Sequence, residues 1–117
     1  MALRCVVVDD SEQFLRAAAR LLGRQGIDVV GIAQHGGEAV DRVARLRPDV
    51  ALVDIDLGEE SGFGVADRLS RTAGQLAVIM ISGHGGADFE EVLANSPAVG
   101  FLDKSDLSAD GIRRLLR

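Results

Sequence analysis

The feature that most constrains this chain is an alternation repeated five times. Short, mostly apolar runs trade places with amphipathic segments of helical period. The runs are Leu3 to Val8, Ile27 to Ala33, Val50 to Val53, Leu76 to Ile81 and Val99 to Leu102. After each, apolar residues recur at three- and four-residue spacing: Phe14, Leu15, Ala18, Leu21 and Leu22; Ala39, Val40, Val43 and Ala44; Val65, Ala66 and Leu69; Phe89, Val92 and Leu93; Ile112, Leu115 and Leu116. A strand with one wet face alternates apolar and polar residues, whereas a strand covered on both faces is apolar throughout. Strands of the second kind, separated by helices, have one economical arrangement: a parallel sheet with helices on both sides, joined by right-handed crossovers. The fold class is therefore α/β, doubly wound. Asp28 and Gly31 in the second run suit a strand with a less-buried face, as at a sheet edge. Ser11 is placed to cap the first helix, and Pro48 to close the second. Ser96 and Pro97 mark the end of the fourth.

The size and charge of the chain narrow what such a fold can do. Its 117 residues, 47% apolar and 26% charged, predict one domain spanning residues 1–117. A chain of this length buries roughly 65% of the surface its unfolded form exposes, enough for a core without staples. The longest clean apolar stretch, Leu76 to Ile81, is six residues, far short of the ~20 that a membrane helix needs, so no membrane partner is expected. A net charge of -5, with no Trp and no Tyr, argues against nucleic-acid binding by this domain. The single cysteine, Cys5, lies inside the first run and reads as a small buried hydrophobe. That suits a reducing cytoplasm. His35, just before the second helix, reads as a surface residue.

In open parallel sheets, ligands bind beyond the carboxyl ends of the strands. The first run ends in Asp9-Asp10, the third in Asp54 and the fourth in Ser82, and the fifth is followed by Asp103-Lys104. Any one of these is ordinarily a turn or cap residue; the weight lies in their gathering at one rim. The ordered set of Asp9-Asp10, Asp54, Gly62 eight residues later, Ser82, and Phe101 with Lys104 resembles the CheY-like receiver domain of bacterial response regulators, over essentially the whole chain. The resemblance implies a flavodoxin-like, five-stranded sheet of order 2-1-3-4-5 with five helices, an order that periodicity cannot supply. In that order Asp54 lies between the acidic pair and Ser82, with neighbouring strands ~4.8 Å apart. Lysine is long enough to return from two strands away.

The resemblance also implies a chemistry. Asp10 and Asp54 would ligate Mg²⁺ directly, Asp9 directly or through water, and the backbone carbonyl of Asp56 would add another oxygen. An all-oxygen site with room for water favours Mg²⁺, with Mn²⁺ as a substitute. Asp54 would accept a phosphoryl group from a phosphohistidine on a sensor histidine kinase or phosphotransfer protein, since carboxylates are competent nucleophiles for aspartyl phosphates. Lys104 and Ser82 would bind the transferred group. Ser82 and Phe101 would form the switch, acting on the face of helix 4, strand 5 and helix 5. Phe lacks the hydroxyl of Tyr, so Phe101 would act by packing alone. Asp56 and His84, two residues past Asp54 and Ser82, hold positions that tune the phosphoryl lifetime. Such a chain is a signalling receiver rather than an enzyme. It catalyses its own phosphorylation and slow dephosphorylation, and an output domain or a second copy is the expected further partner.

Two departures from the pattern stand out. Ser105 follows Lys104 where many receivers have Pro, and without proline a cis bond there would cost ~2.5–4 kcal/mol, so a different local turn is expected. This variation is met in receivers joined to helix-turn-helix output domains. Gly58 stands where Pro is common, which implies a looser loop. Two rival readings remain. One is a receiver-like binding module that signals without phosphate. The other is a haloacid-dehalogenase-type phosphatase, whose nucleophile motif Asp54-Ile-Asp56 resembles; that motif, however, normally follows the first strand of its domain.

Overall fold

The computed structural model describes residues 2–83 and 89–117. Five parallel strands, β1 (Arg4–Val8), β2 (Asp28–Ala33), β3 (Val50–Asp54), β4 (Ala77–Ser82) and β5 (Gly100–Asp103), form one sheet in the order β2-β1-β3-β4-β5. The helices are α1 (Glu12–Arg24), α2 (Gly36–Leu46), α3 (Gly62–Thr72), α4 (Glu90–Ala94) and α5 (Ala109–Leu115). This is the doubly wound architecture, with the strand order that the resemblance implied.

Alternation along the central strands explains why the runs are apolar throughout. Val6, Val8, Ala51, Val53, Val78 and Met80 share one core layer with Ala39 and Val43 of α2 and Val65, Ala66 and Leu69 of α3. Cys5, Val7, Val50, Leu52, Ile79 and Ile81 face the other way, onto Leu15, Ala18 and Leu22 of α1 and Ile112 of α5. Cys5 is sealed in that second layer, and burial pushes its thiol up to about 12. Phe89, Leu93 and Phe101 pack at the border of the first layer, and the Phe63 and Phe89 rings meet with centroids 6.4 Å apart.

The edge assignment of β2 holds, and the register of β1 on β2 slips between Cys5 and Val6, so that Cys5 faces Val29 and Val6 faces Gly31. A Cβ on Gly31 would fall 2.8 Å from Leu46 Cδ1, which is why α2 can close over this edge. Ser11 caps α1, its hydroxyl accepting the Phe14 N–H at 3.2 Å. His35 is exposed as expected, but it also caps α2, Nδ1 accepting the Glu38 N–H at 3.4 Å. Arg47, with φ 48°, ends α2 just ahead of Pro48.

The β3–α3 connection is not the looser loop expected from Gly58. Asp56–Leu57 pairs antiparallel with Glu60–Ser61, and Gly58 turns the ribbon at φ +75°, a value closed to proline. Among the described residues no helix is long and apolar enough to cross a membrane.

Candidate functional site

The two innermost acidic strand ends lie side by side because β1 and β3 are neighbours. The β1 ladder continues one residue past the strand, the Asp9 N–H donating to Ala33 O at 3.0 Å, which carries Asp9 inside the rim. Its side chain is fully buried, Asp54 is 6% exposed, and Asp10 faces solvent. One carboxylate oxygen from each of Asp9, Asp10 and Asp54 lies within 4.8 Å of the others. Backbone donors hold two of these groups. Asp9 Oδ1 accepts the Ser11 N–H at 2.8 Å, and Asp54 Oδ1 accepts the Asp56 N–H at 3.1 Å.

Lys104 reaches this cluster from the far side. It opens a 3₁₀ turn, Lys104–Asp106, that Asp103 caps by accepting both the Ser105 N–H at 3.0 Å and the Ser105 hydroxyl at 2.8 Å. Ser105 thus supplies in hydrogen bonds the local order that proline would supply by its ring, and no cis peptide occurs among the described residues. The Lys104 Nζ stands 2.6 Å from Asp9 Oδ2 and 3.1 Å from Asp54 Oδ2. The same ammonium lies 4.4 Å from the centroid of the Phe14 ring.

Gly62 explains itself here. A Cβ at that position would fall 1.8 Å from the Asp54 carbonyl oxygen, while the Gly62 N–H donates to Ile55 O at 2.7 Å. The first turn of α3 is pressed against the backbone of the central acid and fixes its position. Gly58 brings the ribbon over Asp10, since a Cβ there would lie 3.6 Å from Asp10 Oδ2. Glu60 ties the ribbon to α2: its Oε2 accepts the Gly36 N–H at 2.9 Å, and its Oε1 lies 3.7 Å from Arg68.

The remaining sequence-predicted residues are placed as follows. Ile81 is the register partner of Asp54, so buried Ser82 stands one residue further along β4, opposite Asp103 of β5. Phe101 pairs in register with Met80 and is half-buried. Asp56 is exposed, and its Oδ1 accepts the Gly58 N–H at 3.2 Å. His84 lies outside the described residues. Sequence reasoning missed Phe14, which it assigned only to the core, and Glu60, whose partner lies on another helix. No local signal marked either.

Burial pushes the Asp54 carboxyl up to about 6, and the neighbouring Asp9 charge adds to the rise; the Asp56 N–H and Lys104 pull against both. Burial works against the Lys104 ammonium, but its close approach to the Asp9 and Asp54 carboxylates and their negative charges together outweigh it, so its pKa is raised. Asp9 Oδ2 is a buried oxygen with no hydrogen bond. The ammonium 2.6 Å away is near enough to pair by charge yet out of line to donate. Three clustered carboxylates, one with an oxygen lacking a donor, suit a hard divalent cation that takes oxygen ligands.

A family model for the response regulator receiver domain matches residues 5–115. The DNA-binding transcriptional activator EvgA of Escherichia coli is 26% identical over 104 residues, covering 89% of this chain and 51% of that protein. A protein-glutamate methylesterase/protein-glutamine glutaminase of Archaeoglobus fulgidus is 36% identical over 107 residues, covering 89% of this chain and 30% of that protein. The chain thus spans about half the length, or less, of these curated relatives. Among solved structures, the response regulator domain of Thermotoga maritima CheB is 32% identical with TM-score 0.75, covering 99% of this chain and 90% of that one. The signal receiver domain of NarL from Mycobacterium tuberculosis is 29% identical with TM-score 0.83, covering 98% and 94%.

Proposed function

The chain belongs to the response regulator receiver domain family, and from that premise we propose that residues 1–117 act as one receiver unit that accepts a phosphoryl group on Asp54. The observation that carries the reading is the Lys104 ammonium set between the Asp9 and Asp54 carboxylates, beside Asp10. The donor is a phosphohistidine of a sensor histidine kinase or phosphotransfer protein. An Asp54 carboxylate oxygen forms the new bond to phosphorus as the bond from phosphorus to the imidazole nitrogen breaks, and the imidazole leaves with the electron pair. The chain catalyses this step and the slow hydrolysis in which water attacks phosphorus, releases inorganic phosphate and restores the Asp54 carboxylate.

The protein's part is positioning and charge neutralisation. Gly62 and the Asp56 N–H hold Asp54 in place. Lys104 exchanges its carboxylate partners for a phosphoryl oxygen, acting as a point charge. Ser82 donates its hydroxyl to another. Asp9, Asp10, Asp54 and the Asp56 carbonyl would hold Mg²⁺, which supplies charge neutralisation across nucleophile and phosphoryl group. Movement of Ser82 toward the phosphoryl group opens space that Phe101 fills, reshaping the face of α4, β5 and α5. Asp56 and His84 set the phosphoryl lifetime; substitution of either changes the dephosphorylation rate, and unaltered half-lives in both variants would remove them from that role. The output is a further domain or a second copy of the chain, and the reducing cytoplasm is the setting, in keeping with the unpaired, buried Cys5.

Incubation with acetyl phosphate and Mg²⁺ tests the reading by intact mass. A gain of one phosphoryl group in the wild type, lost in Asp54→Asn, is the expected result. No gain would leave a receiver-like module that signals without phosphate. Steady turnover of a phosphate monoester would instead favour the phosphatase chemistry.

A further inference from the structure

Phe14 occupies a place that its role in the α1 core does not explain. It is half-buried at the top of α1, packed against the layer that contains Leu15 and Leu22, yet its ring also looks onto the Lys104 ammonium at 4.4 Å from its centroid. Contacts already described close a ring through this point. Asp9 Oδ1 accepts the Ser11 N–H, the Ser11 hydroxyl accepts the Phe14 N–H, the Phe14 face meets Lys104, and Lys104 returns to Asp9 Oδ2. The cap of α1, the acidic strand end and the lysine are therefore one mechanical unit.

We propose that Phe14 is a positioning residue for phosphoryl transfer, its ring face holding the Lys104 ammonium at the rim while that ammonium changes partners. The inference rests on the phosphoacceptor reading above. A lysine amine on four methylene groups is mobile and strongly hydrated. In the structure it is held by the two carboxylates, Asp9 and Asp54, which the proposed reaction engages in other bonds. An aromatic face attracts a cation through its quadrupole without offering a lone pair, so it can retain the ammonium without competing with an incoming phosphoryl oxygen. It also covers one side of the amine against water. The lysine then reaches the phosphoryl group from a short distance and a restricted set of rotamers, which is the form in which preorganisation raises a rate.

The test compares Phe14→Leu, which keeps an apolar side chain for the core, with Phe14→Tyr, which keeps the π face. Each is assayed with the full 117-residue chain by initial phosphorylation from acetyl phosphate with Mg²⁺, alongside its thermal midpoint. In parallel, proton chemical shifts of the Lys104 side chain report whether the ammonium end lies in the shielding cone of the ring. The expected result is a rate roughly two- to fivefold lower in Phe14→Leu, scaled from the strength of exposed to partly buried cation–π contacts, with recovery in Phe14→Tyr. The Lys104 methylene shifts should lie upfield in wild type and Phe14→Tyr and move to ordinary values in Phe14→Leu. A merely structural role would make the rates follow the thermal midpoints and leave tyrosine no better than leucine. Equal rates in wild type and Phe14→Leu, or unshifted Lys104 protons in wild type, would overturn the positioning role while leaving Asp54 as the acceptor. Failure of the wild type to take phosphate would remove the phosphoacceptor reading and this role with it.

Discussion

Strands β3 and β5 belong to the same sheet, separated only by β4, yet they are built to different standards. Every residue of β3 is buried, and every residue of β5 is only half-buried. The helices that follow the neighbouring strands differ in the same sense: α3 buries Gly62, Val65, Ala66 and Leu69, whereas α4 buries none of its residues. Val92 and Val99, on α4 and the approach to β5, are 47% and 50% exposed. The half that holds Asp54 is locked by close backbone contact, and the half beside Phe101 is thinly anchored. Elements that open at low cost are drawn from regions with few buried contacts. Under the proposed function, the chemistry that needs fixed geometry and the readout that needs movement fall in separate parts of this fold.

The contrast can be broken or sharpened by substitution, beginning with the glycines. Gly62→Ala drives a Cβ into the Asp54 carbonyl, backbone against backbone, and should cost more than about 4 kcal/mol, the level reached only by severe steric or burial defects. Gly100→Ala first meets the Leu115 side chain, at 2.7 Å for Cδ2, which can swing away; its cost should stay near ~1 kcal/mol. Urea melts that ranked the two alike would dissolve the distinction between the halves. Truncation of packed leucines follows. Leu69→Ala, fully buried on α3, should lose ~3 kcal/mol, and Leu93→Ala, half-buried on α4, less than half of that.

The third prediction concerns pH. The Asp54 carboxyl is held at about 6 against an ordinary 3.8, so the folded chain binds this proton more tightly than the unfolded one. Its contribution to stability is then fully present below about pH 4 and is lost as the pH rises through about 6. In the absence of metal, Asp54→Asn should gain on the wild type by roughly 2–3 kcal/mol between pH 4 and pH 7, read as the difference between urea midpoints. A constant difference across that range would mean the central acid ionises normally. Smallest of all, Val92→Thr on the exposed face of α4 should change stability by no more than about 0.5 kcal/mol.

The parts of this molecule legible in the sequence are those that depend on local pattern. Continuous apolar runs announced strands covered on both faces, and the acids, serine and lysine at their ends announced the rim where they meet. Strand order came only from the family resemblance that the motifs carry, because a parallel sheet's pairings leave no periodic trace along the chain. What stayed hidden depends on partners distant in sequence. Phe14 has the spacing of a core residue and is one, so nothing marked its second face toward a lysine ninety positions on. Glu60 reads as a surface acid until Gly36 of α2 is brought beneath it. Gly58 suggested slackness because a missing proline removes one constraint, whereas its positive φ makes the tight turn of a ribbon that runs close to Asp10.

The sealed position of Cys5 has a practical consequence. A thiol reacts through its thiolate, and this one is both inaccessible and pushed up to about 12, so maleimide dyes will pass over the native chain. A cysteine placed at Val92 or Val99 becomes the sole labelling point without any background to remove. A single fluorophore or spin label there can follow the α4–β5 surface in real time while the native thiol stays silent.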